Sequence, residues 1–252
     1  MPTASYLGRA MSTEALLSGE LVVAADADTL CLVQVTDTHL TGTQEGRLLG
    51  MNTERSAKAV IEAVLANETA DCILVTGDIA ADGQPDAYAQ LQALLGAIVP
   101  SLWLPGNHDD VSNHKDQYAA HMKRRLCARY WDVVMLETQV EGEVGGVLSA
   151  TELEALKRAV DDALAANKAL LIATHHPLRL LDSAWLDDQS VKNASEALEI
   201  IKPIADQAAL ISGHVHQESD DIVSGVRMMT TPSTCVQFAP RCHDFALDAS
   251  DP

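Results

Sequence analysis

Five short stretches of the sequence carry side chains that can hold a metal ion or move a proton. They are "DTH" at 37 to 39, "GD" at 77 and 78, "GNHD" at 106 to 109, "HH" at 175 and 176, and "GHVH" at 213 to 216. Each directly follows an apolar run. Aspartate oxygen, asparagine oxygen and imidazole nitrogen suit divalent zinc, manganese or iron, and none of the stretches offers a thiolate. Residues i and i+2 of an extended segment face the same side, so Asp37 with His39, and His214 with His216, can point at one site. Gly77, Gly106 and Gly213 suit sharp exits from strands and close backbone approach. A lone histidine at a strand end is more often a hydrogen-bonded structural residue. His114, His121 and His243, which follow no apolar run, are read that way. Ordered recurrence sets the five stretches apart, and the pair in "GHVH" is expected to give one histidine to each of two neighbouring metals.

The runs before these stretches are "TLCLVQVT" (29 to 36), "DCILVT" (71 to 76), "SLWL" (101 to 104), "ALLIAT" (169 to 174) and "AALIS" (208 to 212). They have the length and β-branched content of buried strands. Helical periodicity lies between them. Ala57, Val60, Ile61, Val64 and Leu65 share one face over 53 to 67, and Leu153, Leu156, Val160 and Leu164 do so after Ser149 and Thr151. Ser149 with Glu152, or Thr151 with Glu154, supplies a capping box. Further helices are expected at about 85 to 98, 114 to 129 and 193 to 206. "WDVVML" (131 to 136) and "VRMMTT" (226 to 231) read as strands outside the alternation. Strands alternating with helices predict a layered α/β sandwich. Ligands of open α/β sheets bind beyond the carboxyl ends of the strands, so the five stretches should meet on one rim.

The 252 residues are 47% apolar, enough for one large core, and a single domain is expected over 29 to 252 behind a poorly ordered lead-in at 1 to 28. The formal charge of −19 argues against a grip on nucleic acid or on an anionic membrane face. No apolar run approaches membrane-spanning length, and the first thirty residues lack the pattern of a secretory signal. Five cysteines, an odd number without a Cys-x-x-Cys pair, fit a reducing cytoplasm. Met228 and Met229 read as core, Trp103 and Trp131 as packing, and Arg47 and Arg55 as surface.

The motifs taken together resemble those of the calcineurin-like metallophosphoesterases: Asp-x-His, Gly-Asp, Gly-Asn-His-(Asp/Glu), a lone His, then Gly-His-x-His. All five stand in order between residues 37 and 216. Within that family the chain is most similar to the bacterial class III 3′,5′-cyclic AMP phosphodiesterases, on the stretches "QVTDTHL", "TGDIA", "LPGNHDD", "HHP", "SGHVHQ", "TPSTCVQF" and "FALD". The resemblance implies an α-β-β-α sandwich, two mixed sheets flanked by helices. It implies a first metal on Asp37, His39, Asp78 and His216, and a second on Asp78, Asn107, His175 and His214, with Asp78 bridging. It makes His108 the acid that protonates the leaving oxygen, with His39, Asn107 and His108 on the substrate phosphate. His176 has no role in the pattern, and Asp109 is expected to orient His108. Sequences of this subgroup usually continue past "FALD" with a Pro-Gly-Tyr-Arg-like segment, whereas this chain ends at Pro252. That segment holds no metal ligand, so the chemistry should survive without it.

Two divalent ions, iron, manganese or zinc, against two aspartates and a bridging hydroxide leave about one net positive charge, enough to attract a cyclic nucleotide despite the acidic total. The expected reaction is hydrolysis of cyclic AMP to 5′-AMP by a small-molecule enzyme, monomer or dimer, with base contacts sought in 41 to 54. Fold and metals do not fix the leaving group, so another phosphodiester, a nucleotide-sugar pyrophosphate or a phosphomonoester is the rival substrate. A non-catalytic scaffold would have lost ligands, and none is missing.

Overall fold

A computed structural model describes residues 20–22, 29–67, 69–96, 99–110, 119–250 and 252. In chain order the first half comprises β1 (Glu20–Val22), β2 (Leu32–Val35), β3 (Arg47–Leu48), β4 (Met51–Asn52), α1 (Thr53–Asn67), β5 (Cys72–Thr76), α2 (Pro85–Leu95) and β6 (Ser101–Leu104). The second half comprises β7 (Arg125–Cys127), β8 (Trp131–Met135), α3 (Ala150–Ala166), β9 (Ala169–Thr174), α4 (Ala184–Asp187), α5 (Ala194–Ile201) and a 3-10 turn at Lys202–Gln207. It ends with β10 (Ala208–Ser212), β11 (Ser219–Val223), β12 (Val226–Thr230), β13 (Gln237–Phe238) and β14 (Leu247–Asp248).

Two sheets stack face to face. One is β2-β5-β6, parallel in its pairings, and the other is a mixed sheet in the order β1-β7-β8-β9-β10-β12-β11. Leu74 and Leu102 of the first meet Val133, Met135 and Leu171 of the second in the layer between. α1 and α2 cover the outer face of the small sheet through Ala57, Ile61, Tyr88 and Leu91. α3 and α5 cover the outer face of the large one through Leu156, Val160, Ala197 and Ile201. Both faces of each central strand are therefore apolar, which is why β5 is buried at every residue and reads as a continuous hydrophobic run.

All five strands expected before the motif stretches are present, divided between the sheets: β2, β5 and β6 in one, β9 and β10 in the other. The two runs placed outside the alternation belong to the large sheet, β8 beside β9 and β12 beside β10. Each also pairs antiparallel with a short strand just before it, β8 with β7 and β12 with β11.

Several boundaries differ from the sequence reading. Of the helix expected over 114 to 129, residues 114–118 lie outside the described ones, and 119–121 form a turn leading into β7, which pairs antiparallel with β8. Sheet pairing of Arg125–Cys127 overrides its helical propensity. Of the expected lead-in, Glu20–Val22 pairs in parallel with β7, while 1–19 and 23–28 lie outside the described residues. The helix expected to 206 ends at Ile201 and tightens into the 3-10 turn at Pro203, which lacks the N–H that would continue it. Leu164 is 46% exposed, and Ala159 and Ala163 take the buried stripe of α3 instead.

Of the two capping options, Ser149 is the N-cap, its side chain accepting from Glu152 N at 3.2 Å. The box is not closed. Glu152 turns its carboxylate to Glu137 N and to Arg124, tying α3 to the end of β8. Ser149→Ala should lower the unfolding free energy by about 1 kcal/mol, read as a shifted urea midpoint with an unchanged slope.

Candidate metal centre

The ends of β2, β5, β6, β9 and β10 point to one edge of the sandwich, and the five motif stretches leave the strands there. Backbone bonds lock the exits together: Asp37 N–H donates to Gly77 O at 3.0 Å, His39 N–H to Asp78 O at 3.0 Å, and Gly213 N–H to His175 O at 3.0 Å. Asp37, His39, Asp78, His175, His214 and His216 are all buried, Asn107 is half-buried and His108 is exposed.

Their polar atoms form two overlapping groups. Asp37 Oδ1 lies 3.3 Å from His216 Nε2, which lies 3.2 Å from His39 Nε2. Asn107 Oδ1 lies 3.2 Å from His175 Nε2. Asp78 Oδ2 sits between the groups, 3.8 Å from His39 Nε2 and 3.5 Å from His175 Nε2. The other Asp78 oxygen accepts from His108 N at 2.9 Å, so one oxygen is anchored and the other faces the donors. His175, His176 and His214 also place ligand atoms within 4.8 Å of one another.

Hydrogen bonds outside the cluster set the tautomers. His216 Nδ1–H donates to Val236 O at 2.7 Å and His175 Nδ1–H to Thr76 O at 2.8 Å, leaving each Nε2 directed inward. His214 Nε2 is buried without a partner among the described residues. Burial, with the neighbouring imidazoles, pushes His39 down to about 4 and His214 down to about 3, so both imidazoles are held neutral. Burial also disfavours ionised Asp37 and Asp78, but His216 beside Asp37 and His175 beside Asp78 hold both carboxyls below their usual range. His175 rises to about 9, burial being outweighed by Asp78. Two carboxylates, an amide oxygen and inward-facing imidazole nitrogens fit divalent metal ions.

A family model for calcineurin-like phosphoesterases matches residues 32–218. The chain belongs to the calcineurin-like phosphoesterase family. As a member, it has a candidate dimetal site for divalent ions in the cluster around Asp78. It is 38% identical to the 3′,5′-cyclic adenosine monophosphate phosphodiesterase CpdA of Escherichia coli over 227 residues, covering 88% of this chain and 82% of the relative. It is 35% identical to CpdA of Pseudomonas aeruginosa, with coverage of 91% and 85%. In fold it matches a dimetal phosphatase from Danio rerio, with a TM-score of 0.65 and 15% identity, covering 86% of this chain and 91% of that one.

Asp109 does not orient His108. Its oxygens accept from Ile79 N at 3.1 Å, Ala80 N at 2.9 Å and Gly106 N at 2.8 Å, pinning the loops after β5 and β6 to each other. Three converging amides engage both of its oxygens, and burial, followed by Asp78, pushes its carboxyl up to about 6. The Ala81 carbonyl orients His108, accepting from Nδ1 at 2.9 Å.

His176, left without a role by the sequence, is wholly buried. Thr138 Oγ1 meets its Nδ1 at 2.8 Å, its Nε2–H donates to Val144 O at 2.9 Å, and its ring lies 4.6 Å from that of His214. Both nitrogens are thus engaged away from the cluster. "TPSTCVQF", read only as a subgroup mark, supports the ligands: Ser233 Oγ donates to Asp37 O at 2.7 Å, and Phe238 stacks on His216 at 4.2 Å. Neither signal is visible locally, since the partners are about two hundred and about twenty residues away. Residues 41 to 54, expected near the base, form the β3–β4 hairpin and its approach, and none lines the cleft of about 220 Å³ over the cluster.

Asp37, His39, Asp78, His214 and His216 all have φ between 44° and 69°. Non-glycine residues hold that conformation at roughly 1–3 kcal/mol each, only where surrounding contacts over-determine it. Gly77 is a different case: with φ 102°, an added Cβ would strike the His175 ring and come within 2.9 Å of Gly106 Cα. Gly77→Ala should lower metal retention after dialysis, measured by plasma mass spectrometry. Gly142→Ala, equally strained at φ 77° but open within 4 Å, should retain metal as the wild type does.

Proposed function

We propose that this phosphoesterase hydrolyses 3′,5′-cyclic AMP to 5′-AMP. The observation that carries the reading is the complete donor set around Asp78, with the exposed His108 imidazole beside it, in a chain 33–38% identical to several cyclic AMP phosphodiesterases over most of its length.

In this reading Asp37, His39, Asp78 and His216 hold one metal, and Asp78, Asn107, His175 and His214 hold the other, iron, manganese or zinc in identity. Bound divalent ions would supply a nucleophile from water at neutral pH and neutralise charge developing on the phosphoryl oxygens. Asp78 belongs to both sets because its free oxygen faces both groups of imidazoles. Asp37 is aimed by Thr36 Oγ1 at 2.7 Å and by the His214 amide.

His108 is the proton donor. Its backbone amide is fixed to Asp78 and its Nδ1 to the Ala81 carbonyl, which leaves Nε2 for the substrate. Its ring stands edge-on to that of His39 at 5.0 Å, so the donor is carried beside the cluster without being part of its buried core. On a cyclic nucleotide, Nε2–H hydrogen-bonds the phosphate and passes its proton to the 3′ oxygen as the P–O bond breaks. Asn107 and His39 flank the same phosphate.

The substrate is a small anion, and the −19 charge of the chain disfavours polyanions such as nucleic acid. The cytoplasm is its expected compartment, supported by five free thiols. No helix among the described residues is long and apolar enough to cross a membrane.

Manganese-reconstituted protein should convert cyclic AMP to 5′-AMP, followed by chromatography beside bis(p-nitrophenyl) phosphate and p-nitrophenyl phosphate. Activity on the nitrophenyl substrates alone would reject the nucleotide and keep the phosphoesterase. His108→Ala should lose about 10²- to 10⁴-fold in turnover at wild-type metal content, whereas Asp78→Ala should lose metal and activity together. Equal metal loss in the two variants would contradict the separation of acid from ligands.

A further inference from the structure

Half of the cleft over the cluster is not polar. Facing the imidazoles, its wall is made by Val144, Trp185, Leu186, Gln189 and Phe238. Trp185 and Leu186 come from α4, and Gln189 from the turn after it. The Trp185 indole meets Phe238 edge-on at 5.0 Å and Phe245 at 5.2 Å, while Phe238 lies flat on His216 with 10° between the planes. An aromatic surface thus runs without a break from a candidate metal ligand to the far side of the cleft.

Polar groups on that wall are left over. The Trp185 indole N–H is buried and has no hydrogen-bond partner among the described residues, so Trp185 offers the cleft its ring. Gln189 Nε2 donates to Trp185 O at 3.0 Å, which fixes the carboxamide against α4. That bond uses one amide hydrogen, and no described residue engages the other hydrogen or Oε1. The open amide hydrogen and oxygen of Gln189, on an otherwise apolar wall, call for a partner.

We propose that Trp185 and Gln189 form the base subsite of this enzyme, taking a purine with an exocyclic amine. This rests on the reading of the cleft as a cyclic-nucleotide site. A carboxamide offers an acceptor and a donor side by side, the complement of the N6 amine and adjacent ring nitrogen of adenine. The indole supplies the flat apolar contact that heteroaromatic bases favour. Asn107 and His108 line the same cleft as Trp185 and Gln189, so a phosphate at the first pair and a base at the second would share one cavity. Val144 is linked to the cluster through His176, whose Nε2–H donates to the Val144 carbonyl, so the rim of this subsite is anchored to the same framework.

The test uses full-length protein reconstituted with manganese and two readouts. In hydrolysis, Trp185→Leu should raise KM for cyclic AMP about tenfold or more, with kcat near wild type and bis(p-nitrophenyl) phosphate still cleaved. Gln189→Leu should erase a preference of about tenfold for cyclic AMP over the 3′,5′-cyclic monophosphate of purine riboside, which lacks the amine. This ratio is internal to each protein and insensitive to partial unfolding. In calorimetry, wild type should bind 5′-AMP more tightly than ribose 5-phosphate, and Trp185→Leu should bring the two together. Cyclic AMP hydrolysis with both variants unchanged in KM, ratio and AMP binding would overturn the base subsite alone. Wild-type protein that cleaves the nitrophenyl diester but neither hydrolyses cyclic AMP nor distinguishes 5′-AMP from ribose 5-phosphate would overturn the subsite and the substrate reading together.

Discussion

Two carboxylates, Asp37 and Asp78, are buried where the two sheets meet, and the rest of the site is organised by the need to compensate them. An isolated ionised carboxylate in a low-dielectric interior is prohibitively costly, so it must be hydrogen-bonded, paired or bound to a cation. Each has one partial answer from the backbone: the His214 amide for Asp37 and the His108 amide for Asp78. Imidazoles supply the remainder, and the rise of His175 to about 9 shows how strongly the carboxylates draw positive charge to this point. The field that holds a proton there is the one that would hold a divalent ion in its place.

The same need explains the backbone. Bringing five strand ends within reach of one point forces five non-glycine residues into the left-handed region and leaves room for no side chain at Gly77 or Gly106. Such strain persists because neighbouring exits are hydrogen-bonded to each other, Asp37 to Gly77 and Gly213 to His175 among them. Asp109 joins this framework by collecting three amides from two loops. A residue that looks chemical by type is thus architectural by position, and His176 is the same, spending both nitrogens on Thr138 and Val144.

Placing the site between two sheets also divides labour along the cleft. One side offers candidate ligands and the exposed His108, and the other offers the aromatic and amide wall of α4, the turn after it and β13. Phe238 belongs to both sides, stacked on His216 and touching Trp185. The fold itself is shared with proteins only 12–15% identical, so it does not select a substrate; side chains on this wall are where selection can occur.

The sequence by itself determined the buried strands, the two long helices α1 and α3, and every candidate ligand, because those depend on short-range pattern. Apolar runs of strand length, 3.6-residue periodicity and Asp or His placed directly after a run are all legible within a few residues. It also indicated that Asp37 and His39 act as a pair, and His214 and His216 as another. Tertiary structure decided what depends on pairing partners: that the five strands are shared between two sheets, that Arg125–Cys127 is a strand, and that β8 and β12 join the large sheet. It decided that Asp109 braces loops while Ala81 orients His108, and that Val236, Ser233 and Phe238 support candidate ligands from the far end of the chain. The physical reason is that a ligand's identity is a property of its side chain, whereas its tautomer, charge and aim are set by neighbours up to about two hundred residues away, whose proximity only the folded chain creates.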